Sequence, residues 1–504
     1  MSPAQIERVE GISQRITDAL ATPLSTDTAI DPHRELAEVL AGVGYHPDGA
    51  GGRITFIGND PIITSPWPLA TMAGVSLMAK AVAVADMWRT RTGQGQDLSV
   101  NLGQVLHRLC PFYDQRWELL NGYPPGTPSD PNNPFMPAHM YPTADGRWMQ
   151  FYNIYPRTKT AALQFLGCND SVEAISRRIG TWDARELEDT ANAAGLQATT
   201  VRTVEEFLVE EQFPHIAGLP LVEIVKITEG EPVAFTASPR TPLDGIRALG
   251  IGHVIAGAGL GRALAYHGGD VLNVWRPSDF ELDLTYYTAN VGMRSTTLDF
   301  AENTAMTTLT NLLGDADVFF SNRRPGYLAR YGLTADELAH QHRGLIHVEM
   351  SLYGWSGPWA DRIGYDQNAG GVTGVFAREG TPEQPKLTEI FVVNDYAMSW
   401  IASIGVLAAL KRRATEGGSY RVRISLARLS LWLLHMGIFD KDYARHAAGG
   451  GGAHAYLDPE TFTAITPCGD YQGVTDQVVM SATPGIYTVP LVPRGSNRPE
   501  WISA

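Results

Sequence analysis

The chain is 504 residues long, 44% apolar and 18% charged, with 39 Lys and Arg against 54 Asp and Glu and a formal net charge of −15. That balance excludes a general affinity for nucleic acid or an anionic membrane, because a polyphosphate surface repels the average face of such a molecule; a local basic pocket stays open. Cys110, Cys168 and Cys468 stand far apart, which excludes a Cys-x-x-Cys metal site or a disulfide framework and points to a reducing, cytoplasmic home.

The opening stretch MSPAQIERVEGISQRITDAL is interrupted by charge every few positions and reads as an amphipathic helix rather than a signal peptide. Further along, LMAKAVAVADMWRTRTGQGQDLSVNL (Leu77 to Leu102) returns as IASIGVLAALKRRATEGGSYRVRISL (Ile401 to Leu426). Each copy holds an apolar helix, a basic helix end, a glycine turn and a short alternating strand. Val82 and Val406, Arg89 and Arg413, and Gly93 and Gly417 keep one register. The alternative is two ordinary helix-turn-strand units alike by chance. Met398 to Leu410, the longest apolar run, falls short of the roughly 18 residues a membrane span needs, so no span is expected.

Pro and Gly cluster between Gly122 and Pro137, a loop or linker. From Met140 to Pro239 a hairpin around Asp145-Gly146, Glu-rich helical stretches and short apolar strands predict a small α+β unit. From Thr241, GIRALGIGHVIAGAGLGRALAYHGGDVLNVW is a βαβ unit, continued by a helix over Asn303 to Leu313, a strand DVFFSN, a helix over Ala335 to His342 and a strand LIHVEMSLYG. The fold class expected is α/β: a Rossmann-like large domain with a parallel sheet, plus a smaller α+β domain. Four divisions follow. Residues 1–130 form a helical segment and the first copy, packed with the large domain; 131–240 form the small domain; 241–446 form the Rossmann-like domain; 447–504 hold the glycine run ending at Gly452 and a C-terminal tail. Within that tail LVPRGS, Leu491 to Ser496, coincides with a protease recognition sequence, and the NRPEWISA that follows marks it as native chain.

The turn GIGHVIAGAGLG fails as a dinucleotide site, since Ile255 stands at the third glycine position and Trp275-Arg276 where an acid should meet the ribose. An Arg there suits a sugar phosphate, as in NADP or the 3′-phosphate of coenzyme A; a turn with no ligand is the plain alternative. GWSGP lacks the last glycine of a nucleophile elbow, and His340 and His342 point to different helix faces, so neither a serine hydrolase nor a metal site is expected. Asp395 is the informative carboxylate. It lies where an apolar strand gives way to a long apolar helix, as an N-cap or as a carboxylate kept ionised among helix N–H groups and able to act as a nucleophile. The first copy carries Thr71 in that register, so only the second copy can hold this nucleophile.

The stretch from Pro242 to Leu426 resembles the class III CoA-transferases, the family of formyl-CoA transferase and carnitine CoA-transferase. The motifs are PLDGIRALGIGHVIAGAG, GGDVLNVWRP, LTNLLGDADVFFSNRRPGYLARYGLTADEL, LIHVEMSLYGWSGPWADRIGYDQNAGGVTG and the Asp395 helix, in order. Residues from about Ala70 to Pro239 resemble the later part of the same fold. The chain thus looks like the family's back part followed by its front part, as a circular permutation or an excerpt from a tandem fusion would give.

The resemblance implies a transfer of CoA between carboxylic acids through an aspartyl anhydride and an aspartyl-CoA thioester on Asp395, with Tyr365 of GYDQN beside the thioester. It implies Val254, Ala256, Arg276, Leu298, Asn322 and Arg330 at the CoA site, Arg276 on a phosphate, with Arg323 replacing the usual Phe after Asn322. Ala301 stands where a Lys often contacts CoA, and SLARL at Ser425 to Leu429 lacks the usual Asp. The run Gly449 to Gly452 resembles the glycine loop over the active site of formyl-CoA transferase, with a flexible linker as the alternative. Also implied are acyl-CoA and a carboxylic acid as substrates, no tightly bound cofactor, no metal, no nucleic-acid or membrane partner, and an interlocked homodimer. Two other readings stay open. One is the family's 2-methylacyl-CoA racemase branch, which uses a His where Tyr365 stands; the other is a non-catalytic CoA-binding or assembly protein.

Overall fold

The computed structural model describes residues 1–26, 30–126, 133–136 and 139–502, so part of the Gly122 to Pro137 loop lies outside the described residues. At its centre is a seven-stranded sheet in the order Arg294–Thr297, Asp270–Trp275, Arg247–Ile251, Val318–Ser321, Ile346–Ser351, Ser419–Ser425, Glu223–Thr228. The first six strands are parallel and the last is antiparallel. Strands such as Val318–Ser321 are buried throughout, because helices cover both faces of a parallel sheet. The order is that of a doubly wound α/β sheet. The chain changes direction between Arg247–Ile251 and Val318–Ser321 and leaves a crevice at their carboxyl ends, where such folds hold ligands. The edge strand Glu223–Thr228 comes from the stretch assigned to the small unit: it pairs with Ser419–Ser425.

The repeated unit keeps its register in three dimensions. Helix Leu69–Thr92 ends at Gly93 (φ 79°), whose N–H donates to Arg89 O; helix Asp395–Glu416 ends at Gly417 (φ 66°), whose N–H donates to Arg413 O. Each needs the left-handed backbone that glycine adopts without penalty. Strand Leu98–Asn101 and helix Leu102–Leu109 follow the first, strand Ser419–Ser425 and helix Leu426–Met436 the second. The two long helices pack on each other in one shared core. Helix Leu69–Thr92 is long and apolar enough to cross a bilayer, but 94% of its apolar window is buried against protein.

The small unit pairs Met140–Pro142, Trp148–Gln150 and Thr199–Thr200 antiparallel, with Gly146 (φ 76°) in the hairpin turn, over a core that includes Phe151, Leu166, Ile175 and Leu187. The glycine run leads back to the N-terminal half of the chain. Its following residues bond to the N-terminal copy: Asn59 N–H donates to Ala453 O (2.8 Å), Leu457 N–H to Gly103 O (2.9 Å), and His454 Nδ1 meets Pro61 O (3.1 Å).

Candidate active site

Asp395 opens its long helix, and Asn394, not Asp395, takes the cap position, with no side-chain bond to the helix. The free N–H groups go elsewhere. Asp366, one residue past Tyr365 and 1% exposed, accepts from Asp395 N (2.8 Å), from Val393 N (3.2 Å) and from Asn394 N. The Asp395 carboxylate, 6% exposed, accepts no hydrogen bond among the described residues. The expectation that helix N–H groups keep Asp395 ionised is therefore corrected. Desolvation first, and the Asp366 charge second, push its proton affinity well above the ordinary carboxylate range. Burial also raises Asp366, but three backbone donors oppose the rise, so of the pair Asp395 is the one that holds a proton.

The residues expected at a CoA site fall into two groups. One builds the turn after Arg247–Ile251. Asn322 Oδ1 accepts from His253 N (2.9 Å) and its Nδ2 donates to His253 O (2.7 Å), while Val254, at φ 57°, donates its N–H to Glu281 Oε2 (2.8 Å). Ala256 O accepts from Ser399 Oγ (2.8 Å), which ties the turn to the Asp395 helix. Gly259 is required at that crossing, because a Cβ there would lie 2.5 Å from Ser399 Oγ.

The other group lies at the end of Asp270–Trp275. Arg276 and Arg323 both fork onto Asp279, with Nη2 to oxygen distances of 2.6 Å each, and hold its carboxyl far below the usual range. Leu298 is 7% exposed and packs with Leu249 and Phe300. Arg330 stands exposed in the turn Leu328–Tyr331 with no ion pair among the described residues. The resemblance implies both Arg276 and Arg330 at the CoA site; the structure joins Arg276 with Arg323 through Asp279.

Tyr365 caps the helix Asp366–Val372 and meets the ring of Tyr152 at 4.9 Å and of Tyr155 at 5.8 Å, both from the small unit. Burial pushes its phenol above the ordinary range. Tyr155 Oη donates to Glu281 Oε1 (2.8 Å), so the small unit, the turn and the Asp395 helix converge within one chain. Asp366 and Glu281 escaped the sequence reading. The signal for Asp366 was an acid opening a helix right after Tyr365; Glu281 carried none.

Compared with known proteins, residues 40–238 and 243–483 match CoA-transferase family III. The acetyl-coenzyme A transferase nodX of Hypoxylon pulicicidum is 29% identical over 329 residues, 60% of this chain and 55% of that one. The succinyl-CoA–L-malate CoA-transferase alpha subunit of Chloroflexus aurantiacus is 26% identical over 233 residues, 42% of this chain and 54% of that one. A crystal structure of a CAIB/BAIF family protein from Brucella suis aligns at 28% identity and TM-score 0.35, covering 38% of this chain and 55% of that one. The chain spans about half the length of the curated relatives it matches. With the family's match covering most of the chain, in the same segments that build the sheet and the Asp395 helix, the protein belongs to CoA-transferase family III.

Proposed function

We propose that the chain moves CoA from an acyl-CoA donor to a carboxylic acid, with Asp395 as nucleophile. One observation carries this reading: a buried carboxylate that accepts no hydrogen bond, set at the start of an apolar helix beside the turn Val254–Ala256. Names of relatives support the class, an acetyl-CoA transferase and a succinyl-CoA–malate CoA-transferase among them.

In the proposed reaction a carboxylate oxygen of Asp395 adds to the thioester carbonyl and the C–S bond breaks, leaving a mixed anhydride and CoA thiolate. The thiolate attacks the aspartyl carbonyl and expels the donor acid as its carboxylate, leaving an aspartyl-CoA thioester. The acceptor carboxylate then displaces the thiolate to form a second anhydride, and the thiolate takes the acceptor's acyl carbon, which restores Asp395. Anhydride and thioester are similarly activated, so no electron, metal or nucleotide triphosphate enters the balance. Desolvation serves this chemistry twice: a carboxylate of raised basicity is the stronger nucleophile once ionised, and a dry pocket protects the anhydride from water. Tyr152, Tyr155 and Tyr365 supply part of that apolar wall.

Incubation with a panel of acyl-CoAs and hydroxylamine, read by peptide mass, is expected to place a hydroxamate on Asp395 and nowhere else. Full CoA exchange by Asp395→Asn would overturn the reading. The racemase alternative loses ground, since burial makes the Tyr365 phenol a still weaker acid and leaves the neutral ring no basic site.

A further inference from the structure

The C-terminal tail does more than close the fold. Residues beyond the family match, which ends at 483, run along the outer strand of the sheet. Gly292 N–H donates to Pro490 O (3.0 Å), Tyr286 Oη to Val492 O (2.9 Å), Gly495 N–H to Ser295 Oγ (2.9 Å), and Asn497 N–H to Ser295 O (2.7 Å). This strapping fixes Arg494. Its Nη1 donates to the backbone oxygen of Asp279 (2.8 Å) and its guanidinium lies 5.4 Å from the centre of the Trp275 ring. Arg276 and Arg323 already share the Asp279 carboxylate, and both lie over Tyr327 at 5.1 and 5.5 Å.

Three guanidiniums thus gather on one residue, two on the Asp279 carboxylate and Arg494 on its backbone oxygen. The neighbouring acid, Glu281, is turned to Tyr155 and to the Val254 N–H and does not balance them. Three polar atoms there are also buried with no hydrogen-bond partner among the described residues: Arg323 Nε, Trp275 Nε1 and Tyr327 Oη. Surplus positive charge with unmet donors, at the carboxyl end of a parallel strand, calls for a multiply charged anion with several acceptor oxygens. On the CoA reading above, we propose that the tail strap supplies Arg494 as a third arginine for the 3′-phosphate of CoA, beside Arg276 and Arg323. The strap thereby makes the protein discriminate CoA from 3′-dephospho-CoA.

Calorimetric binding of CoA and 3′-dephospho-CoA to the full chain tests this. The unsubstituted protein is expected to prefer CoA by about tenfold or more, and Arg494→Ala to weaken CoA by about tenfold while leaving 3′-dephospho-CoA unchanged. Arg498→Ala, an exposed arginine four residues along the same strap, is expected to bind both as before. Unaltered CoA affinity in Arg494→Ala overturns the role of the strap, and equal binding of the two nucleotides by the unsubstituted protein overturns the phosphate assignment. If that protein binds neither, the CoA reading itself fails. An independent readout is the Arg494–Gly495 bond in LVPRGS: CoA is expected to slow its cleavage by thrombin, because the protease must take the Arg494 side chain. Cleavage at one rate with and without CoA counts against the strap.

Discussion

The two copies of the helix-turn-strand unit have the same scaffold and different chemistry. In the N-terminal copy Asp60 accepts from Thr71 N (2.6 Å) and Ala70 N (3.4 Å); in the C-terminal copy Asp366 accepts from Asp395 N and its two predecessors. Both helices therefore start on a buried acid supplied from earlier in the chain, Asp60 from a loop and Asp366 from the start of the helix Asp366–Val372. The difference is the residue that follows. Thr71 is neutral and asks nothing more of its surroundings, whereas Asp395 puts a second carboxyl beside the first and is driven to hold a proton. A helix-capping device thus becomes a pair of coupled buried carboxyls through one residue, at a cost in stability that the Thr71 copy escapes.

The sharpest way to break this comparison is Asp395→Asn, expected to cut CoA exchange at least about 1,000-fold as measured by product formation. A smaller effect is expected of Asp366→Asn, which keeps an acceptor for the helix N–H groups and removes the charge. Asp395 then holds its proton less tightly, so the acid limb of kcat/KM against pH should move to lower pH. An unmoved limb would separate the two carboxyls.

Stability supplies the next test. Asp395 binds a proton more tightly folded than unfolded, so the native state is stabilised as pH falls and penalised once the folded group ionises. Asp395→Asn is therefore expected to raise stability by about 1–3 kcal/mol at pH 8 and by little at pH 4, measured by urea unfolding. Thr71→Asp should do the opposite beside Asp60, costing about 1–3 kcal/mol near neutral pH and yielding no second hydroxylamine-trapped site.

What the sequence showed and what it concealed divide along one physical line. Gly93 and Gly417 were legible because helix ends that need positive φ advertise themselves with glycine, and Asp395 because its place at a helix start is local. Apolar runs between glycine turns likewise announced the parallel strands. Asp366 was hidden by the 29 positions that separate it from Asp395, and the pairing of Arg323 with Asp279 spans 44. Such partnerships depend on where the sheet brings chain segments together, which no local pattern records. The strand Glu223–Thr228 was absorbed into the small unit for the same reason: its partner lies nearly 200 residues on.

The burial of Leu69–Thr92 against the later copy has a consequence for synthesis. Its packing partner, helix Asp395–Glu416, leaves the ribosome after roughly 300 further residues, so at about 5–20 residues per second the apolar helix waits on the order of 15–60 s. During that interval the face it will turn to the second copy, on a helix of membrane-spanning length, stays uncovered, although Pro32–Ala41 and Leu102–Leu109 already pack on its other sides. A chain stopped at residue 130 is expected to sediment with insoluble or membrane material, and nascent chains of intermediate length to be bound by a holding chaperone until the second copy emerges.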